Sequence, residues 1–226
     1  MIENNMERNQ KDLQRARRKG VAPSSSLRRH FFALARQVRT WADSKPAPPS
    51  GRGFAVGVTS LTRGAGKSTV SYNLASALTS VYRSRVLLVE ADFGKHFVSR
   101  RLGYSRAPGL SELLLGVTDI EESVFPTPLT DLAVLGCGRK SDQEALELPF
   151  DLLSPILDEK LHEFGCVVFD LPLANHLTAC HSIAPHIDGI VLTVEANQID
   201  QRQINRFRKQ IEGHGIEIVG VVLNKA

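Results

Sequence analysis

The chain has 226 residues, enough for one α/β domain with a large core. Apolar residues make up 42% and charged residues 23%, as in a soluble globular protein, and no apolar run approaches the ~20 residues that a membrane-spanning helix needs, which argues against an integral membrane protein. The net charge of +4 is unevenly placed: residues 1–45 carry eleven Lys/Arg against four Asp/Glu, a balance of +7, which leaves −3 for the rest.

The N-terminus is basic and polar, without the apolar core of a signal peptide. Cys137, Cys166 and Cys180 never stand in C-x-x-C spacing and read as reduced thiols of a cytoplasmic protein rather than metal ligands. Residues 1–26 are expected to stay unstructured or to fold on a partner. The basic cluster from Gln14 to Lys19 reads first as a solvated tail, with contact to anionic lipid or nucleic acid as the rival. Ser25 and Ser26 are suited to cap a helix from Leu27 to Trp41. Its stripe of Phe31, Leu34, Ala35, Val38 and Trp41 must be covered by the domain or by a neighbouring subunit. The Pro-rich run after Lys45 ends this segment. The expected organisation is thus a basic arm with one amphipathic helix at 1–45, a linker at 46–52 and a nucleotide-binding domain at 53–226.

The next stretch carries the chemistry. Phe54 to Val58 reads as a strand buried on both faces, followed by a turn containing Gly64-Ala65-Gly66-Lys67-Ser68-Thr69 and by a helix whose apolar positions begin at Val70. Strand, glycine-rich turn, Gly-Lys-Ser and helix are the context of a phosphate-binding loop. The first glycine of the full G-x-x-x-x-G-K-[ST] pattern is replaced by Leu61. Phosphates need converging backbone N–H groups with no Cβ in the way, and a helix N-terminus adds positive potential. The loop from Arg63 to Thr69 is therefore the candidate nucleotide cradle. Lys67 would reach the β- and γ-phosphates, and the Ser68 hydroxyl would ligate Mg²⁺.

Strand and helix signals then alternate. Arg85 to Asp92 reads as an apolar strand ending in two acids, 93–109 as irregular and basic, and 109–116 as a short helix with a stop glycine. Leu132–Leu135 reads as a strand, 149–163 as a helix, Cys166–Asp170 and Gly189–Val194 as strands, 200–213 as a helix, and Ile216–Leu223 as the last strand. This pattern predicts an α/β fold, a mostly parallel central sheet with helices on both faces. In such sheets ligands lie beyond the carboxyl ends of the strands, where Glu90, Asp92 and Asp170 fall. Asp170 is placed to hold Mg²⁺, Glu90 is a second candidate metal ligand, and Asp92 or Glu90 would orient or deprotonate an attacking oxygen. His176, His181 and His186 recur every five residues, a spacing that puts them on no common face. Arg100, Arg101 and Arg106 read as a solvated loop, with binding of a phosphate or an acidic partner as the alternative.

These residues resemble those of the bacterial tyrosine kinases of the capsular exopolysaccharide family, within the MinD/ParA-like phosphate-loop ATPases, from about residue 30 onward. Thr59-Ser60 with Gly64–Thr69 looks like the first nucleotide motif, continued by Asn73-Leu74-Ala75. Leu87-Leu88-Val89-Glu90-Ala91-Asp92 looks like the second, and Val167-Val168-Phe169-Asp170 with Pro172 like the third. Gly109-Leu110-Ser111, Asp188-Gly189 and Val221–Asn224 also match. The resemblance implies ATP and Mg²⁺ as cofactors, Asn224 near the purine, and a membrane polysaccharide co-polymerase or export component as partner. It also implies a cytoplasmic location at the inner membrane face and leaves a homo-oligomer open.

The departures bear on activity. The family's first acid is Asp where this chain has Glu90, and its next arginine pair is reduced to Asp92-Phe93-Gly94-Lys95-His96. Ala179 stands where an aspartate is expected. In the assembly motif Glu-x-x-Arg-x-x-Arg, Arg36 and Arg39 are present but the glutamate position is Ala33. Tyr72, Tyr82 and Tyr104 are scattered, and the family's tyrosine cluster would lie beyond Ala226. Thr62 replaces the signature lysine of partitioning ATPases. Two readings follow: an ATP-dependent protein-tyrosine kinase or kinase-like domain, and a regulatory ATPase or nucleotide switch that docks on the export partner. ATP-independent binding by the arm is a third.

Overall fold

The structure is a computed structural model that describes residues 25–46, 53–153, 163–174, 183–196, 200–213 and 215–224. In chain order the elements are α1 (Ser25–Asp43), β1 (Phe54–Ser60), α2 (Lys67–Tyr82), β2 (Val86–Glu90), α3 (Phe97–Leu102), α4 (Leu110–Leu114), α5 (Ile120–Ser123), β3 (Val124–Pro126) and β4 (Leu132–Leu135). There follow α6 (Asp142–Ala145), β5 (Cys166–Asp170), β6 (Gly189–Glu195), α7 (Gln201–Glu212) and β7 (Glu217–Asn224). The expected 149–163 helix begins as a 3-10 turn at Phe150–Leu152, and 154–162 lie outside the described residues. So do the basic cluster, most of the linker, His176, Ala179, Cys180 and His181.

The strands form one seven-stranded sheet in the order β3-β4-β2-β5-β1-β6-β7, with only the β3–β4 pair antiparallel. Strands β1, β2, β4 and β5 are buried along their whole length, because side chains on alternate residues enter two separate cores. Val56, Val58, Val86, Leu88 and Val168 pack with Leu74 and Leu78 of α2 on one face. Leu87, Val89, Val167 and Phe169 pack with Leu110, Leu113 and Phe207 on the other. Both faces of the sheet are therefore helix-covered, as the alternation of apolar runs requires.

The amphipathic stripe of α1 is covered by the chain itself. Phe31, Ala35 and Val38 are buried against α2 and the sheet, and the Trp41 ring meets Phe54 edge-on at 4.7 Å. Gln37 Nε2 donates to the Val219 carbonyl, and Trp41 Nε1 donates to Glu217 Oε2 at 2.8 Å. Arg39, half of the assembly motif, donates to the Val81 carbonyl, and its guanidinium lies 4.5 Å from the centre of the Tyr82 ring.

One sequence expectation is corrected here. The 93–109 segment is not irregular throughout, since Phe97–Leu102 is helical. Three short elements, α5, β3 and α6, went unread because none exceeds four residues and so none shows a period.

Candidate functional site

The site is built where β1, β5 and β2 end side by side. Strand register places Asp170 next to Val58 on one side and next to Glu90 on the other. Beyond β1 the chain turns through Gly64 and Gly66, both left-handed at φ 84° and 87°, and enters α2 at Lys67. Gly66 is favoured there by its left-handed backbone, and a Cβ would displace the Asn224 amide. Arg63, Gly64 and Thr69 are exposed around this turn, whereas Ala65, Lys67 and Ser68 are buried.

Lys67 Nζ sits 2.6 Å from Asp92 Oδ2 and 3.5 Å from Asp170 Oδ1. The lysine is 5% exposed, so the ion pairs form in a poorly solvated setting where an unpaired charge is costly. One turn along α2, the Ser71 hydroxyl lies 2.9 Å from the Lys67 carbonyl and 3.0 Å from Asp170 Oδ1, donating to one at a time. Ser71 was missed in the sequence; its signal is a small hydroxyl four residues after Lys67 on a face that is otherwise apolar. Burial pushes the Asp170 carboxyl above its usual range, while Lys67, Ser68 and Ser71 pull the other way. Among the described residues, Asp170 Oδ2 is buried with no hydrogen-bond partner. A buried acceptor of this kind is what a water-bound cation would satisfy. With the neighbouring buried Ser68 hydroxyl and the loop free of Cβ at Gly64 and Gly66, these residues fit a nucleotide carrying Mg²⁺.

Burying this carboxylate costs stability. The folded pKa lies above the unfolded one, so the contribution of Asp170 worsens as pH rises from the ordinary carboxylate range toward the folded value. Asp170→Asn is expected to stabilise the nucleotide-free protein by about 1–2 kcal/mol at pH 7 while removing Mg²⁺-dependent turnover. Urea denaturation at pH 4 and pH 7 checks this, with the advantage of the variant larger at pH 7.

Glu90 has other partners than those a metal-binding role calls for. It is fully buried, with Oε1 accepting from the Val98 N–H at 2.6 Å and Oε2 from the Ser99 N–H at 3.3 Å. The Cys137 thiol lies 3.6 Å from Oε2, and burial and Glu90 together push that thiol up, so it stays protonated. Both oxygens are thus engaged by the first turn of α3, which Glu90 anchors.

Asn224, expected near a purine, donates its side-chain amide to the Ala65 carbonyl at 2.8 Å, with the amide oriented by that contact. The last residue of β7 thereby clamps the phosphate loop. Asn224→Ala is expected to weaken nucleotide affinity about fivefold, the equivalent of one neutral hydrogen bond, in a calorimetric titration.

This strand–loop–helix geometry at the carboxyl edge of a parallel sheet defines a class. Residues 56–226 match the CobQ/CobB/MinD/ParA nucleotide binding domain, and the chain belongs to that family. Among its curated relatives, tyrosine-protein kinase CpsD of Streptococcus agalactiae is 26% identical over 169 residues, covering 74% of this chain and 73% of CpsD. The putative tyrosine-protein kinase EpsB of Ralstonia nicotianae is 30% identical over 169 residues, covering 74% of this chain but only 22% of EpsB. The crystal structure of the chimerical protein CapA2B2 superposes with a TM-score of 0.74 at 24% identity, covering 87% of this chain and 83% of that one, which supports the shared fold.

Proposed function

We propose that this chain is an ATP-binding protein of exopolysaccharide or capsule biosynthesis, acting as an ATP-dependent protein-tyrosine kinase or its kinase-like domain. The carrying observation is Lys67, held at the start of α2 by Asp92 and Asp170, beside an Asp170 Oδ2 that has no hydrogen-bond partner among the described residues. The loop amides from Arg63 to Thr69 would cradle the phosphates, Ser68 and Asp170 would hold Mg²⁺, and Asn224 would brace the loop. Bound ATP with its metal supplies the phosphoryl group and most of the compensating positive charge.

The chain's own residues do the rest. Lys67 leaves its two carboxylates for the phosphates and stabilises the negative charge that develops there. Its departure frees Asp92, whose carboxylate is then available to accept a proton from the attacking oxygen. A tyrosine hydroxyl, with an ordinary pKa near 10, gives that proton up only where positive charge is close by. Residues 53–226 form the nucleotide-binding unit in this reading, with 1–45 as an arm and 46–52 as its linker. The arm's balance of +7 suits it to the inner face of the plasma membrane, where a polysaccharide co-polymerase or export component would be the partner. Self-assembly into a homo-oligomer is compatible with this reading.

A second reading, a nucleotide switch without tyrosine kinase activity, is favoured by one observation. Glu90 links the site directly to α3, so occupancy of the loop can be relayed to the surface beyond it. Incubation with γ-labelled ATP and Mg²⁺ separates the two. Label on tyrosine of this protein or a partner supports the kinase, free phosphate alone or ATP binding with neither product supports the switch, and no ATP binding contradicts both.

A further inference from the structure

Beyond the phosphate loop, the same edge of the sheet carries a second basic feature. His96, Arg100, Ser105, Arg106 and Arg139 line an open basin of about 660 Å³. The volume is within the roughly 300–1,000 Å³ of small-ligand sites and well above what one inorganic ion needs. None of its lining residues belongs to the phosphate loop.

Three guanidinium groups share this basin. Among the described residues no carboxylate lies within ion-pair distance of Arg100, Arg106 or Arg139. Glu112 of α4 accepts from the backbone N–H groups of Gly109 and Arg139 and from the Ser111 hydroxyl, not from a guanidinium. Arg139 is fixed at two points, its backbone N–H by Ser111 and Glu112 and its Nε by the Arg106 carbonyl at 3.1 Å. Like charges gathered this way repel one another, and an anion removes that penalty. Guanidinium forks match the oxygens of a phosphate more closely than an ammonium does.

His96 also lines the basin. Its Nδ1 is 2.9 Å from the Cys137 sulfur, so the ring is held in place by that contact. His96 holds a left-handed backbone at φ 45° just before α3, and its carbonyl accepts from the Arg100 N–H. The histidine and Arg100 are therefore set one helical turn apart on an element anchored by Glu90.

We propose that this basin is a recognition site for a phosphate monoester dianion, distinct from the nucleotide site and standing whether or not the chain transfers phosphate. Two sources share that chemistry: a phosphotyrosyl side chain on a peptide, and free phosphate. The test uses the full chain at low salt, with a fluorescent phosphotyrosyl peptide, its unphosphorylated twin and inorganic phosphate as competitor. The expected result is binding of the phosphopeptide at least tenfold tighter than of the twin. Arg100→Ala/Arg139→Ala is expected to lose at least tenfold of that affinity, with ATP affinity unchanged within twofold. Arg100→Lys/Arg139→Lys should restore part of it, since the charge returns without the fork. Competition by inorganic phosphate at concentrations equal to those of the peptide supports the site and assigns it to free phosphate. Equal binding of both peptides, or phosphopeptide binding that the arginine variants leave unchanged, overturns the proposal. Because ATP affinity is read in the same variants, a failure here is distinguishable from a failure of the nucleotide site.

Discussion

Lys67→Met is expected to abolish Mg²⁺-dependent ATP turnover and, in the same protein without nucleotide, to lower stability by about 3–5 kcal/mol. The second effect separates this lysine from a simple phosphate ligand. Lys67 is buried and sits 2.6 Å from Asp92, with Asp170 behind it at 3.5 Å. Methionine keeps the length of the stem, so the variant chiefly removes the charge and strands two carboxylates. The loss is smaller at low pH, because the raised pKa of Asp170 lets that group take a proton in place of its cation. Loss of one preorganised charge at the reacting phosphate predicts a fall in rate of roughly 10²–10³-fold. Urea denaturation without ATP and a turnover assay read the two effects separately. Unchanged stability with lost turnover would mean that the ion pairs contribute nothing to the nucleotide-free state.

Glu90→Ala is the second large effect, and it falls on the fold rather than on the metal. The Val98 and Ser99 N–H groups lose a charged acceptor in a fully buried place. Leaving two such donors unsatisfied costs about 2–4 kcal/mol. Hydrogen exchange should show α3 opening before the sheet, while Glu90→Gln retains one acceptor and about half of the stability. In Glu90→Gln the Mg²⁺ concentration that half-supports ATP binding is expected to stay within threefold of the native value. A tenfold increase with no loss of stability would return Glu90 to the metal. Glu90→Asp shortens the side chain by one methylene and should also release the α3 amides.

The parts of the molecule legible in the sequence are those whose causes are local. The strands ending at Glu90 and Asp170 are uninterrupted apolar runs, and their burial on both faces follows from that alone. The phosphate loop is legible because Gly64 and Gly66 answer a backbone need within a few residues. Helix α3 is not legible, because its first turn is held by Glu90 from another element and entered through His96 at positive φ. Strand β3 is three residues ending in a proline, tolerable at a sheet edge, and its neighbour Tyr104 supplies the bond to Pro126 and the stacking on Phe125. Arg39 matches an assembly motif by position, yet within this chain it packs on Tyr82 and bonds to Val81, contacts that only the α1–α2 pairing creates. Asn224 is expected near a purine only through the family resemblance, and its bond to Ala65 depends on the loop's path, which no local pattern announces.

The central claim is that the loop from Arg63 to Thr69 binds ATP with Mg²⁺. The most direct test is the unfolding midpoint of the full chain measured with ATP and Mg²⁺ together, with each alone, and with both on Lys67→Met. Ligand at a hundredfold excess over its dissociation constant adds about 2.7 kcal/mol to the folded state. The account predicts a rise of several degrees that needs both components and vanishes in the variant. No rise at millimolar ATP with Mg²⁺, or an equal rise in Lys67→Met, would contradict it.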